Sequence, residues 1–212
     1  MVDLSSISEA VVRARAGTVT SLVRQAIGEG VAPQRIVDEA LIPAMATAGE
    51  MFDAQEIYVP ELYMAAEAMT TGLDILEPLL VGGEAREPLR RVVIGTVEGD
   101  LHDIGKNLVG LMFQGAGYDV IDLGVDVASA RFVEAVREET PHILGMSSLL
   151  TTTMPRMEET LDALMAADLR DGVRVIVGGA PVTEAFAARI GADGYGKNCY
   201  AAVAAVKRLL QS

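Results

Sequence analysis

Residues 98–110 read EGDLHDIGKNLVG and place His102, one of only two histidines in the chain, between Asp100 and Asp103 in a glycine-spaced stretch. A histidine held this way can ligate a metal through one ring nitrogen while a carboxylate tunes the other. It can equally cap the helix that follows, with the acids favouring the positive end of the helix dipole. The spacing does not fit nucleotide chemistry: glycines at 95, 99, 105 and 110 do not form G-x-G-x-x-G. Nor do they form a phosphate loop, since five residues separate Gly99 from Gly105 and Asn107 follows Lys106 where Ser or Thr is required. A hydrolytic divalent-metal centre needs several histidines, and the other one, His142, opens a predicted strand where it reads as structural.

The elements that must hold this loop follow from periodicity. From position 91 onward, apolar runs rich in β-branched residues (RRVVIGTV, YDVIDLGV, HILGMSSL, VRVIVGG) alternate with helical patterns (KNLVGLMFQGAG, SARFVEAVREE, MPRMEETLDALMAA, TEAFAARIG). Strands of nearly continuous apolarity between helices indicate a parallel sheet covered on both faces. A short fifth strand at DGYG and a last helix at NCYAAVAAVKRLLQ complete a five-stranded doubly wound α/β domain over 91–212. Ligands of such sheets bind beyond the carboxyl ends of the strands, which is where His102 falls. The same edge carries SSLLTTT after the third strand and GGAPVT after the fourth.

Residues 1–83 read differently. SEAVVRARAGTVTSLVRQAIGEG, APQRIVDEALIPAMATAGEMF and VPELYMAAEAMTTGLDILEPLLVGG carry helical apolar spacing, with Pro33 and Pro60 near helix starts, and predict a small bundle of three or four helices. A linker is expected at 84–90, where GGEAREPLR holds Gly, Pro and charge.

Composition narrows the partners. Thirty acidic against 17 basic residues, a net charge of −13, argue against a nucleic-acid surface. A single cysteine, Cys199, leaves neither a disulfide framework nor a thiolate zinc site. No apolar run approaches the roughly 18 residues of a membrane span, and MVDLSSISEA has no signal-peptide pattern, so no membrane association and a cytoplasmic location are expected.

Together the three loops, DLHDIG, SSL and GG, each after a predicted strand, resemble the cobalamin-binding domain of corrinoid proteins, whose signature is D-x-H-x-x-G, a later S-x-L and a later G-G. GEMFDAQEIYVPELYMAAEAM resembles the helical cap bundle that precedes this domain in methionine synthase and in the stand-alone corrinoid proteins of methyl-transfer systems. A chain of these two modules is similar to the stand-alone class. The resemblance implies a flavodoxin-like (Rossmann-like) domain holding cobalamin or a related corrinoid base-off, with His102 as lower axial ligand to cobalt, Asp100 as its tuning carboxylate and Thr153 as the relay hydroxyl. It implies a slot for the displaced benzimidazole tail formed by Gly105, Ser147, Leu149, Thr151, Gly178 and Gly179, with Cys199 near it and Gly99, Leu101, Asp103 and Ile104 flanking the ligand. Gly105 and the Gly178–Gly179 pair are expected to leave backbone room for the tail. Phe52, Val59 and Leu62 match the apolar residues that cap the upper face, the last two as an i, i+3 pair able to point the same way.

The function so implied is that of a methyl carrier cycling between Co(I) and methylcobalamin forms. Its expected partners are a substrate-specific methyltransferase, an acceptor methyltransferase using tetrahydrofolate or a thiol coenzyme, and a reductive activator. The chain alone is then a component of an enzyme system. Two rival readings share the cofactor: a cobalamin-binding sensor, and a subunit of an adenosylcobalamin-dependent mutase.

Overall fold

The computed structural model describes residues 3–80 and 90–211. The chain divides into two compact units, one of N-terminal helices and one built on the sheet.

In the helical unit, α1 (Leu4–Val12) is capped by the Asp3 carboxylate, which accepts the Ser5 N–H at 3.0 Å, and buries Ile7, Ala10 and Val11. The first predicted helical segment is in fact broken: Ala14 has φ +54, and the chain restarts as α2 (Ala16–Gly28). The N–H of Arg15 closes on Ala10 O, so this is an αL helix end made without the glycine that usually announces one. On α2, Val19, Val23 and Ala26 recur on one buried face. Pro33 opens α3 (Pro33–Ile36), which runs through a π-helical turn, Val37–Leu41, into α4 (Ile42–Asp53). The wide turn ends beside Pro43, which has no N–H for the regular i−4 bond. Glu61 accepts the Tyr58 N–H at 3.1 Å to start α5 (Val59–Leu80). That helix buries Leu62, Ala65, Ala66, Ala68, Met69 and Leu76. No helix among the described residues is long and apolar enough to cross a membrane.

The second unit is a five-stranded sheet of order β2-β1-β3-β4-β5, parallel throughout. Its strands are β1 (Arg91–Thr96), β2 (Asp119–Asp122), β3 (Ile143–Ser147), β4 (Arg174–Gly178) and β5 (Gly194–Gly196). Between and after them lie α6 (Ile104–Gly115), α7 (Ser129–Glu139), α8 (Pro155–Ala166), α9 (Glu184–Arg189) and α10 (Cys199–Leu209). The doubly wound α/β expectation is met. Of the expected linker, all but Arg90 lies outside the described residues.

The core on one face joins Val93, Leu144, Met146, Val175 and Val177 of the sheet to Phe132 of α7 and to Met157, Leu161 and Leu164 of α8. Phe132 lies over Gly95 so closely that a Cβ there would be 2.8 Å from its ring, and burying such a ring is worth roughly 2–3 kcal/mol. At the amino ends of the strands, Arg91 reaches Asp119 of β2 at 2.8 Å and Glu139 of α7 at 3.0 Å. His142, just ahead of β3, accepts the Arg91 N–H on Nδ1 at 3.2 Å, which is the structural role read from its position.

Register decides what the carboxyl edge presents. Thr96 pairs with Ser147, Ser147 with Gly178, and Gly178 with Gly196. The three motif-bearing loops therefore leave the sheet from one row.

Candidate functional site

The loop after β1 turns at Gly99, which has φ +82 and donates its N–H to Asp126 Oδ1 at 2.7 Å. The turn drives Asp100 inward, where it is fully buried. Its Oδ1 accepts the His102 N–H at 3.0 Å and lies 2.7 Å from His102 Nδ1. Its Oδ2 accepts the N–H of Leu149 at 2.6 Å and of Leu150 at 3.3 Å, and the Thr153 hydroxyl at 3.2 Å. Burial alone would raise the Asp100 pKa; the N–H groups of His102 and Leu149, then the imidazole and the Thr153 hydroxyl, outweigh it and bring it from 3.8 to about 2.

An ionised carboxylate offers acceptors only, so the His102 proton sits on Nδ1 and donates to Asp100. The lone pair is then on Nε2. The backbone is fixed as well, because His102 O accepts from the Thr96 hydroxyl at 3.0 Å. The ring is 52 % exposed, so its available nitrogen belongs to a group that is anchored on the protein side and open on the other.

Thr153, the relay position expected from sequence, meets Asp100 in the structure. The residue that sequence reasoning missed is Ser148, fully buried with Oγ 2.8 Å from Thr153 Oγ1. Only its place inside SSLL could have suggested it. The two N–H donors from Leu149 and Leu150 were also unreadable, since backbone donors carry no residue signature.

Other expected site residues separate into groups. Leu101 and Ile104 are 71 % and 75 % exposed, and Leu149, with its unanticipated neighbour Leu150, is exposed too. The two loops that carry His102 and its hydrogen-bond partners thus expose four large apolar side chains. Gly105 lies in the first turn of α6 with open space where a Cβ would stand. Ser147 is half-buried on the common row and Thr151 is exposed. Asp103 accepts from Asn107 Nδ2 at 3.1 Å at the start of α6.

The remaining expected residues are placed as follows. Gly178 and Gly179 are glycines because protein atoms crowd them: a Cβ on Gly178 would stand 2.9 Å from Gly196 O, and one on Gly179, at φ +131, 1.8 Å from Ser148 O. Both glycines thus lie against neighbouring backbone, Gly178 at the end of β4 and Gly179 just after it. Cys199 is buried in the first turn of α10 and offers no exposed thiol. In the helical unit Phe52 is half-buried and Val59 is 41 % exposed, but Leu62 has no accessible surface, so the i, i+3 pair does not present a shared face.

The donor set fits one kind of metal. Among the described residues no three His, Cys, Asp or Glu side chains cluster to hold an ion. One anchored imidazole, with exposed apolar side chains on its own loop and on the loop that holds its partner, fits a metal that brings its own equatorial ligands.

Comparison with known proteins agrees. The B12 binding domain family matches residues 90–204, and a second family of the same description matches 4–77. Dimethylamine corrinoid protein 1 of Methanosarcina acetivorans is 40 % identical over 207 residues, 98 % of this chain and 97 % of the relative. The crystal structure of a cobalamin-binding protein from Desulfitobacterium hafniense DCB-2 superposes with a TM-score of 0.83 at 35 % identity, covering 98 % of each chain. The methanol:cobalamin methyltransferase complex MtaBC from Methanosarcina barkeri contains a chain that superposes with a TM-score of 0.87 at 29 % identity, covering 99 % of this chain and 80 % of that one. The chain therefore belongs to the B12-binding corrinoid proteins, and its cofactor is a corrinoid.

Proposed function

We propose that the protein is a methyl carrier that holds its corrinoid base-off, with His102 Nε2 as the lower axial ligand to cobalt. When bound, the corrinoid supplies a cobalt that accepts a methyl group from one methyltransferase and yields it to another. The observation that carries the reading is the half-exposed His102 ring, whose Nδ1 is committed to a buried, ionised Asp100 at 2.7 Å.

The chain's own residues then have distinct tasks. Asp100 keeps the proton on Nδ1 and so keeps the ligating lone pair outward. Thr153 and the N–H groups of Leu149 and Leu150 spread the Asp100 charge, which limits how much of the imidazole proton it draws away. Leu101, Ile104, Leu149 and Leu150 are the exposed apolar side chains against which an apolar macrocycle rim rests. Gly105 leaves space for the displaced tail beside Ser147 and Thr151. In this reading the helical unit is the cap, with Phe52 and Val59 its apolar contribution.

In this scheme donor and acceptor specificity belong to partner enzymes. The names of its relatives favour this: one is a dimethylamine corrinoid protein, another a chain of a methanol:cobalamin methyltransferase complex. The partners are a substrate-specific methyltransferase, a second methyltransferase with a tetrahydrofolate or thiol acceptor, and a reductive activator.

The test is spectroscopic. Protein loaded with hydroxocobalamin and reduced to Co(II) is expected to show superhyperfine splitting from one axial nitrogen, changing from a triplet to a doublet when histidine alone is labelled with ¹⁵N. His102→Ala should keep the corrinoid and lose that splitting. An unlabelled pattern that persists in the ¹⁵N-histidine protein would assign the ligand to the cofactor's own base and reject the reading.

A further inference from the structure

Beside Asp100 the structure places two hydroxyls where the relay expected from sequence has one. Ser148 Oγ is 2.8 Å from Thr153 Oγ1 and 3.1 Å from Leu150 O. Thr153 Oγ1 is 3.2 Å from Asp100 Oδ2 and 3.0 Å from Leu150 O. Two oxygens at 2.8 Å must share a proton, so one hydroxyl donates to the other.

Three arrangements satisfy these distances. One of them, Ser148 donating to Thr153 and Thr153 to Leu150 O, leaves the buried carboxylate without its hydroxyl donor in favour of a neutral carbonyl and is the weaker for it. Two others remain. Either Ser148 donates to Thr153 and Thr153 to Asp100, or Thr153 donates to Ser148 and Ser148 to Leu150 O. The second would take the hydroxyl donor from a buried carboxylate and give a proton to a carbonyl that already accepts the N–H of Thr153 at 3.1 Å and of Met154 at 3.3 Å. Hydrogen bonds to a charged acceptor are the stronger kind, so the arrangement ending on Asp100 holds.

Ser148 has little freedom to leave this position. Its N–H donates to Gly178 O at 3.1 Å, and its carbonyl lies against Gly179, where a Cβ would approach to 1.8 Å. The Gly178–Gly179 pair at the end of β4 is thus the clamp on Ser148, and its backbone joins that motif to the side chains of two other loops that reach His102.

We propose that Ser148 is a positioning residue for His102: by donating to Thr153 it fixes the Thr153 proton on Asp100, and the Gly178–Gly179 turn holds it in place to do so. The consequence at the metal rests on the reading of His102 as cobalt ligand. The hydroxyl order itself is a property of the cofactor-free protein. A Thr153 hydroxyl polarised by Ser148 donates more strongly, so Asp100 draws less on the Nδ1 proton and the imidazole is a more moderate ligand.

The experiment is a double-mutant cycle on the full cofactor-free chain labelled with ¹⁵N-histidine, with Ser148→Ala, Thr153→Val and the pair. The two histidines are distinguishable because His142 accepts on Nδ1 and so carries its proton on Nε2, the tautomer opposite to that of His102. Ser148→Ala is expected to move the His102 Nδ1 proton downfield, Thr153→Val to move it further, and Ser148→Ala to add nothing once Thr153 is Val. No shift in Ser148→Ala, or an equal shift in both backgrounds, would overturn the proposal. In loaded protein Ser148→Ala should raise the His-on to His-off ratio roughly two- to threefold, again only when Thr153 is present. Absence of axial nitrogen from His102 in wild-type loaded protein would reject the ligation reading, while the cofactor-free shifts would still decide the hydroxyl order.

Discussion

Replacing Asp100 by Asn changes no volume and removes one charge, so it isolates what the carboxylate does. Asn can satisfy only one side of the site. With its oxygen toward Leu149 N–H at 2.6 Å, Leu150 N–H at 3.3 Å and the Thr153 hydroxyl at 3.2 Å, its NH₂ faces the His102 N–H and ring nitrogen. Donor then opposes donor, and the ring can respond only by presenting a lone pair on Nδ1 and moving its proton to Nε2. The exposed nitrogen loses its ligating pair. The stability cost follows from the pKa, since a drop from 3.8 to about 2 in a fully buried group is worth roughly 2.4 kcal/mol at about 1.36 kcal/mol per unit. Because the folded pKa is the lower one, this stabilisation is present above pH 3.8 and fades as the pH falls from about 4 toward 2. Urea unfolding at pH 7 should therefore show Asp100→Asn less stable by about 2–3 kcal/mol, with the gap closing between pH 4 and 2, and ¹⁵N spectra should show a His102 tautomer changed to Nε2–H. A gap below about 0.5 kcal/mol at pH 7, one that does not narrow on acidification, or an unchanged tautomer would refute the reasoning.

Two further outcomes are expected. Gly179→Ala puts a Cβ within 1.8 Å of Ser148 O at φ +131, and should cost more than about 3 kcal/mol in urea unfolding, well beyond an ordinary surface glycine. Arg91→Ala removes ion pairs to Asp119 and Glu139 whose side chains are all more than a third exposed, so it should cost only about 0.5–1 kcal/mol, and less at high salt.

Much of the architecture is legible because periodicity is a local property. The segment SARFVEAVREE coincides with α7, and the apolar runs after position 90 mark the strands, since buried parallel strands and amphipathic helices impose different spacings. The break at Ala14 is not legible, because a non-glycine residue there adopts φ +54. Asp100 and His102 are legible as a pair for a related reason. Two residues apart, the aspartate reaches both the backbone N–H and the ring of the histidine.

What the sequence by itself determined, then, is the order of helices and strands, the edge on which the three loops emerge, and the Asp100–His102 pair. Tertiary structure decided the rest. It brought the Leu149 and Leu150 N–H groups to Asp100 across 49 and 50 residues, because strand register sets Thr96 beside Ser147. It made Gly179 a packing glycine by laying it on Ser148, buried Leu62 where its helical spacing allowed exposure, and turned a second serine toward Thr153. The physical reason is common to all of these: burial and hydrogen-bond geometry depend on which distant backbone lies opposite, and residue types along one chain do not encode that distance.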